Sequence, residues 1–296
     1  MRDRDSGESG RKDAFGATPE RADGTKKQEV PYGDKAFFES FYNSSTDTDA
    51  TDRMTIGGDI SLVEARFHYN VVENSIIRAL VHREPPPRGV NVLAWEMLLK
   101  RRGLRLLDLG SGTGHWIDFF REVLLVTEVV GVEITERMAE HLRTKYIGDA
   151  NVKILETDIA APELSLNAIG GPVDYISAIG IMFHIVDDAR WLLSLKKLAD
   201  LLKPEGLMFV GGDFGTETKN VQYNKTDEFA SWTEYREIEA MENEVKVNKR
   251  VRSLAAWQEA ANQAGLSIVD LVRSDVEHVI RTPENDLLVL QPWAST

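Results

Sequence analysis

Leu104-Arg-Leu-Leu-Asp-Leu-Gly-Ser-Gly-Thr-Gly114 is followed, one helix later, by Val129-Val-Gly-Val-Glu133. The first stretch reads as an apolar strand that runs into a glycine-dense turn and then a helix. The second reads as another apolar strand with a carboxylate at its carboxyl end. Strand, glycine turn, helix and strand together make a nucleotide-binding βαβ unit. Glycine at 110, 112 and 114 lets backbone pass close to a ligand where a side chain would block it. Glu133, at the tip of its strand, is placed to accept hydrogen bonds from a ribose. The spacing narrows the kind of nucleoside. A dinucleotide fingerprint needs G-x-G-x-x-G, yet the third position falls on His115 when counted from Gly110 and on Ile117 when counted from Gly112. No G-x-x-x-x-G-K-[ST] phosphate loop is present either. The glycines alternate instead, as Asp108-x-Gly110-x-Gly112-x-Gly114.

This D-x-G-x-G-x-G run resembles motif I of the class I S-adenosylmethionine-dependent methyltransferases. Lys153-Ile-Leu-Glu-Thr-Asp-Ile159 extends the likeness as a third strand with a polar turn, and Pro172-Val-Asp-Tyr-Ile-Ser-Ala178 as a fourth. Leu202-Lys-Pro-Glu-Gly206 is similar to a common turn of the family before the fifth strand. The resemblance is strong from about 95 to 214, looser from 250 to 293, and absent from 1 to about 60. It implies S-adenosyl-L-methionine as cofactor and S-adenosyl-L-homocysteine as product. It also implies a set of cofactor contacts. Asp108 and the amides of Gly110, Ser111, Gly112 and Gly114 would hold the methionine end, the amides at the helix start suiting its carboxylate. Glu133 would bind the ribose hydroxyls and Ile134 would pack on the adenine face. Asp158 and Ile159 would border the adenine edge, with Asp158 on its exocyclic amine. Ala178 completes the set.

The fold expected is an α/β Rossmann-like seven-stranded methyltransferase sheet, with helices on both faces and an antiparallel terminal strand pair. Strands are expected near 104–109, 129–133, 152–156, 173–178 and 206–211, with helices near 114–125, 135–146, 188–202 and 253–265. Apolar strands alternating with helices mean a parallel sheet covered on both sides. Leu266 to Val272 and Asp286 to Leu290 read as the terminal pair.

Composition bounds the rest. The 296 residues, 42% of them hydrophobic, suit one α/β domain with a tail and an insertion. With no cysteine there is no disulfide, thiolate metal site or cysteine nucleophile. The six histidines are scattered without metal-ligand spacing, so no metal is expected. A net charge of −13 would repel a polyanion, so no nucleic-acid partner is expected. No apolar run is long enough for a bilayer, and Met1 to Gly16 lacks the apolar core of a secretory signal, which points to a cytoplasmic protein without a membrane partner.

Residues 1–34, charged and poor in large apolar side chains, are expected to be a disordered tail. Residues 35–102 read as an N-terminal helical lid. There Val63, Phe67, Val71, Val72, Ile76, Ile77 and Leu80 keep helical spacing, and a second helix runs from Val90 to about Lys100. Residues 103–296 form the cofactor-binding domain. Within it 213–250 is too long for a simple connection, and it reads equally as a cover for the substrate or as a helical surface decoration. His184, after the fourth strand, is the candidate catalytic base; a ring packed over the loop, or capping the next helix, is the competing reading. Asp187 and Asp188 read as a helix cap.

The function this implies is S-adenosylmethionine-dependent methyl transfer to an oxygen or nitrogen of a small-molecule acceptor. No [DN]-P-P-[YFW] follows the fourth strand, which has Ser177-Ala-Ile-Gly180 instead, against methylation of the amino groups of nucleic-acid bases. Two alternatives stand beside it: a protein methyltransferase, and a cofactor-binding protein that transfers nothing.

Overall fold

The structure, a computed structural model, describes residues 35, 38, 39, 42, 61–83, 103–185, 187–211, 221–224, 248–273 and 286–293. The expected tail at 1–34, the helix at 90–100 and most of 213–250 lie outside them. In chain order the elements are α1 (Leu62–Arg83), β1 (Arg105–Leu109), α2 (His115–Glu122), β2 (Glu128–Glu133), α3 (Glu136–Lys145), β3 (Val152–Glu156), α4 (Leu166–Ile169) and β4 (Val173–Ile179). After a 3-10 turn at Met182–His184 come α5 (Asp188–Leu201), β5 (Leu202–Gly211), β6 (Val221–Asn224), β7 (Asn248–Val251), α6 (Leu254–Gln263), β8 (Leu266–Val272) and β9 (Leu287–Pro292).

Seven strands form one sheet in the order β3-β2-β1-β4-β5-β9-β8. The first five are mutually parallel, and β9 runs antiparallel to both β5 and β8. The strand order reverses between β1 and β4, the switch point where open α/β sheets bind ligands. Side chains alternate across the sheet. Leu107 and Leu109 join Trp191, Leu198 and Trp257 of α5 and α6 on one face. Leu106 joins Ile76 of α1 and Phe120 of α2 on the other. Each such large side chain, fully buried, stabilises the fold by about 1.5–3 kcal/mol. The expected seven-stranded sheet with an antiparallel terminal pair is therefore present.

Helix ends follow local chemistry. Ser61 and Glu64 make a capping box: the Glu64 amide donates to the Ser61 hydroxyl at 3.2 Å, and the Ser61 amide donates to the Glu64 carboxylate at 2.8 Å. Asp187 caps α5 by accepting from the Arg190 amide at 2.7 Å, as its position suggested. Within the 35–102 segment, α1 is a layer helix packed against β8 and β9, with Ile76 and Ala79 fully buried.

Two features differ from the sequence reading. Leu202-Lys-Pro-Glu-Gly206 is not a separate turn but the bulged start of β5. Val173 pairs with Leu202 and Tyr175 with Leu207, so Asp174 alone opposes the four residues between. The Lys203 ammonium donates to the Asp174 carboxylate across this bulge at 2.7 Å. Two strands described within or at the end of the 213–250 segment, β6 and β7, pair antiparallel as a two-stranded ribbon.

Candidate active site

The expected cofactor residues come together at the carboxyl ends of β1, β2, β3 and β4. Asp108, the penultimate residue of β1, is fully buried, and neither carboxylate oxygen has a hydrogen-bond partner among the described residues. Burial pushes its pKa up to about 7, and the Glu133 charge adds to the push. The nearby Ser111 and Ser177 hydroxyls moderate the shift without reaching hydrogen-bond geometry. A buried, unpartnered carboxylate costs stability, and a cationic ligand group would remove that cost.

The glycine turn above it is tightly held. Gly110, Gly112 and Gly114 all have positive φ, at 65°, 52° and 85°. The Ser111 amide donates to the Val132 carbonyl at 3.0 Å, the Gly112 amide to Glu133 Oε2 at 3.1 Å, and the Gly114 amide to the Ser111 carbonyl at 2.7 Å. These three amides, expected to face the cofactor, are thus committed within the protein. From behind, Lys145 Nζ donates to the Thr113 carbonyl at 2.8 Å, and the Tyr146 hydroxyl donates to the Gly114 carbonyl at 3.1 Å. A Cβ on Gly114 would lie 2.5 Å from that hydroxyl.

Glu133, the last residue of β2, has two tasks. Its Oε1 accepts from the Ile134 amide at 2.9 Å and from the Thr135 amide and hydroxyl, both at 3.1 Å. Among the described residues its Oε2 accepts only the Gly112 amide. The carboxylate therefore pins the glycine turn to the end of β2, and Oε2 keeps acceptor capacity for one more donor. Burial raises its pKa despite these bonds.

Asp158 is engaged as well. Its Oδ1 accepts from the Ala160 amide at 2.7 Å, and Oδ2 pairs with the Arg190 guanidinium. Lys197 donates to the Ile159 carbonyl and, more closely, to that of Ala161. The loop expected beside the adenine is thus braced by two cations of α5 that sequence reasoning missed, because their partner lies one strand away. Ile134 is half-exposed at the tip of β2, and Ile159 is buried. Ala178 is fully buried in the core facing α5.

Residues from before β1 reach the same place. The Tyr69 ring of α1 stacks on His115, centroids 3.6 Å apart, and His115 Nε2 lies 2.8 Å from Glu73 Oε1. Tyr42 is buried near Glu133, and burial, with a lesser push from the Glu133 charge, drives its pKa upward. Phe38 meets the His184 ring edge-on at 5.1 Å, and Phe183 lies 4.4 Å from the same ring. His184 is half-buried at the end of the 3-10 turn.

A parallel sheet with its switch point under a glycine turn, an acidic residue beneath the turn and another at the next strand tip defines a nucleoside-binding α/β domain. Residues 78–271 match a family model described as a methyltransferase domain. A demethylmenaquinone methyltransferase of Staphylococcus aureus is 32% identical over 109 residues, covering 36% of this chain. The matched stretch spans only 42% of that relative's own length. An S-adenosylmethionine-dependent methyltransferase of Clostridium acetobutylicum has a similar fold, with a TM-score of 0.53 at 15% identity over 86% of this chain and 99% of that one. A putative methyltransferase of Haloferax volcanii, solved with the Trm112 methyltransferase activator, gives 0.52 at 16% identity over 83% of this chain and 99% of its own. The chain belongs to the class I S-adenosylmethionine-dependent methyltransferase family.

Among the described residues no helix is long and apolar enough to cross a membrane.

Proposed function

We propose that this chain transfers a methyl group from S-adenosyl-L-methionine to an oxygen or nitrogen of a small-molecule acceptor. One observation carries the reading: Asp108 is fully buried, directly beneath the glycine turn at the switch point, and neither of its oxygens has a partner among the described residues. A ligand with an ammonium group would give that carboxylate the cation it lacks. The curated relative's name supports the acceptor class, since demethylmenaquinone is a small molecule.

The cofactor, when bound, supplies a methyl group on a sulfonium sulfur, so the leaving group is already good. The chain's own residues must therefore align, exclude water and handle one proton. Asp108 holds the ammonium and Glu133 Oε2 accepts from a ribose hydroxyl. Ile134 packs on the adenine face, and Asp158, steadied by Arg190, borders its edge with Ile159. His115 is held by Glu73 and Tyr69, and it shapes the mouth of the glycine turn. His184, on the turn after β4, takes the acceptor's proton where one must leave before transfer.

Calorimetric titration with S-adenosyl-L-methionine, with NAD as the control ligand, tests the cofactor assignment. Incubation with methyl-labelled cofactor and separate small-molecule and peptide pools tests the acceptor class. Label in the small-molecule pool supports the reading. Label in peptides alone makes the chain a protein methyltransferase, and binding with no labelled product makes it a non-catalytic cofactor-binding protein.

A further inference from the structure

Arg252 lies between β7 and α6 and is only 2% exposed. A guanidinium so enclosed is tolerated only when its donors are matched. Nε and Nη2 both reach Asp188 Oδ1 at 2.9 Å, and Nη2 also donates to the Ile185 carbonyl at 2.9 Å. The guanidinium carbon stands 4.1 Å from the centre of the Trp191 ring, and Trp191 meets Trp257 edge-on at 4.7 Å. One side chain thus joins four pieces of chain. They are the strand that ends the 213–250 segment, the first turn of α5, the residue just after His184, and the start of α6. β7 also packs on the 3-10 turn that carries His184.

We propose that Arg252 is a positioning residue of the acceptor side. It locks the Met182–His184 turn to the end of the β6–β7 ribbon, so that His184 is held in one fixed orientation toward the acceptor. The proposal rests on the reading above, in which the turn after β4 faces the acceptor. Arginine is required by the geometry. Its planar fork reaches a carboxylate and a carbonyl while its face lies on an indole, and a lysine ammonium can satisfy only part of this.

The test compares the full chain with Arg252→Lys, Arg252→Met and Asp188→Asn. The imidazole resonances are followed by NMR across pH, with His184→Asn to assign the His184 signal, and S-adenosyl-L-homocysteine is titrated into each protein. In Arg252→Lys the His184 resonance and its titration midpoint move, those of His68 and His141 stay, and homocysteine-product affinity is unchanged. Asp188→Asn, which keeps an acceptor oxygen but removes its charge, moves the same signal less. With an acceptor found as above, kcat/KM of Arg252→Lys falls on the order of tenfold to a hundredfold. If all histidine signals move together in Arg252→Met, that variant has lost its fold, and the two milder variants decide. An unmoved His184 signal in both of them overturns the proposal. Failure of the wild-type chain to bind the cofactor product overturns the proposed function instead, and the His184 readout still decides the role of Arg252.

Discussion

Replacing Asp108 by asparagine removes a buried charge and keeps the shape of the side chain. Burial raises this carboxyl from an ordinary 3.8 to about 7. Between those two values the folded protein binds the proton more tightly than the unfolded chain does. Stability therefore falls as pH rises through this window, and the cost is complete above about 7. At 1.36 kcal/mol per tenfold change in binding, the cost is about 1 kcal/mol near pH 4.5 and about 4 kcal/mol near pH 8. Asparagine carries no charge at either pH and escapes both. The variant's advantage in melting temperature should thus grow by about 6–12 °C between those conditions, taking 2–4 °C per kcal/mol for a domain of this size. The assay is paired calorimetric melting of both proteins without ligand at the two pH values. Because the comparison is made at each pH, titration of other groups cancels to first order. A variant whose advantage is the same at both pH values, or which is less stable at pH 8, would refute the reasoning, since Asp108 would then have a partner or access to water. The same substitution should weaken S-adenosyl-L-methionine binding while it stabilises the empty protein, a combination that structural damage does not produce.

Three further outcomes follow from the site. Glu133→Ala should weaken cofactor binding about ten- to a hundredfold, the worth of a charge-assisted hydrogen bond of roughly 1.5–3 kcal/mol; unchanged affinity by calorimetry would sink the assignment. Gly114→Ala places a Cβ at φ 85° and 2.5 Å from the Tyr146 hydroxyl. It should cost about 2–4 kcal/mol from left-handed strain plus a broken hydrogen bond, read as a lower urea midpoint, and a loss under about 1 kcal/mol would mean the turn relaxes freely. His184→Asn should leave cofactor affinity intact and lower the transfer rate by about 10²–10⁴-fold if it moves the proton; an unchanged rate at all pH values would leave the ring a packing role only.

The parts of the fold legible in the sequence are those where local pattern and tertiary role coincide. β1, β2 and β4 are short, mostly apolar runs because central parallel strands are buried on both faces, and their ends fell within a residue or two of expectation, as did those of the edge strand β3. Of the terminal pair, β9 was readable as a buried apolar run, and β8 as an apolar stretch of strand length beside it. The bulge at the start of β5 was not, because proline and glycine mark a turn and a bulge alike, and only the pairing of Val173 with Leu202 tells them apart. The β6–β7 ribbon pairs short strands across a long intervening segment, and neither strand has a periodic signal of its own. At the site, the glycine turn and Asp108 were visible as a spacing. That Glu133 also ties down Gly112, and that Arg190 and Arg252 hold the loops on either side, depends on which strand ends become neighbours. No local pattern encodes that.

Gly110 is where the two sides of the site touch. A Cβ there would lie 2.7 Å from the Ile181 Cδ1 atom, so the isoleucine methyl fills the space a side chain would take. Ile181 leads into the 3-10 turn that ends at His184. The missing side chain of one loop is thus a socket for the next, and the glycine turn and the turn that ends at His184 share a single van der Waals surface. A methyl group added at Gly110 would push first on Ile181, and its earliest symptom should be altered choice of acceptor rather than lost grip on the cofactor.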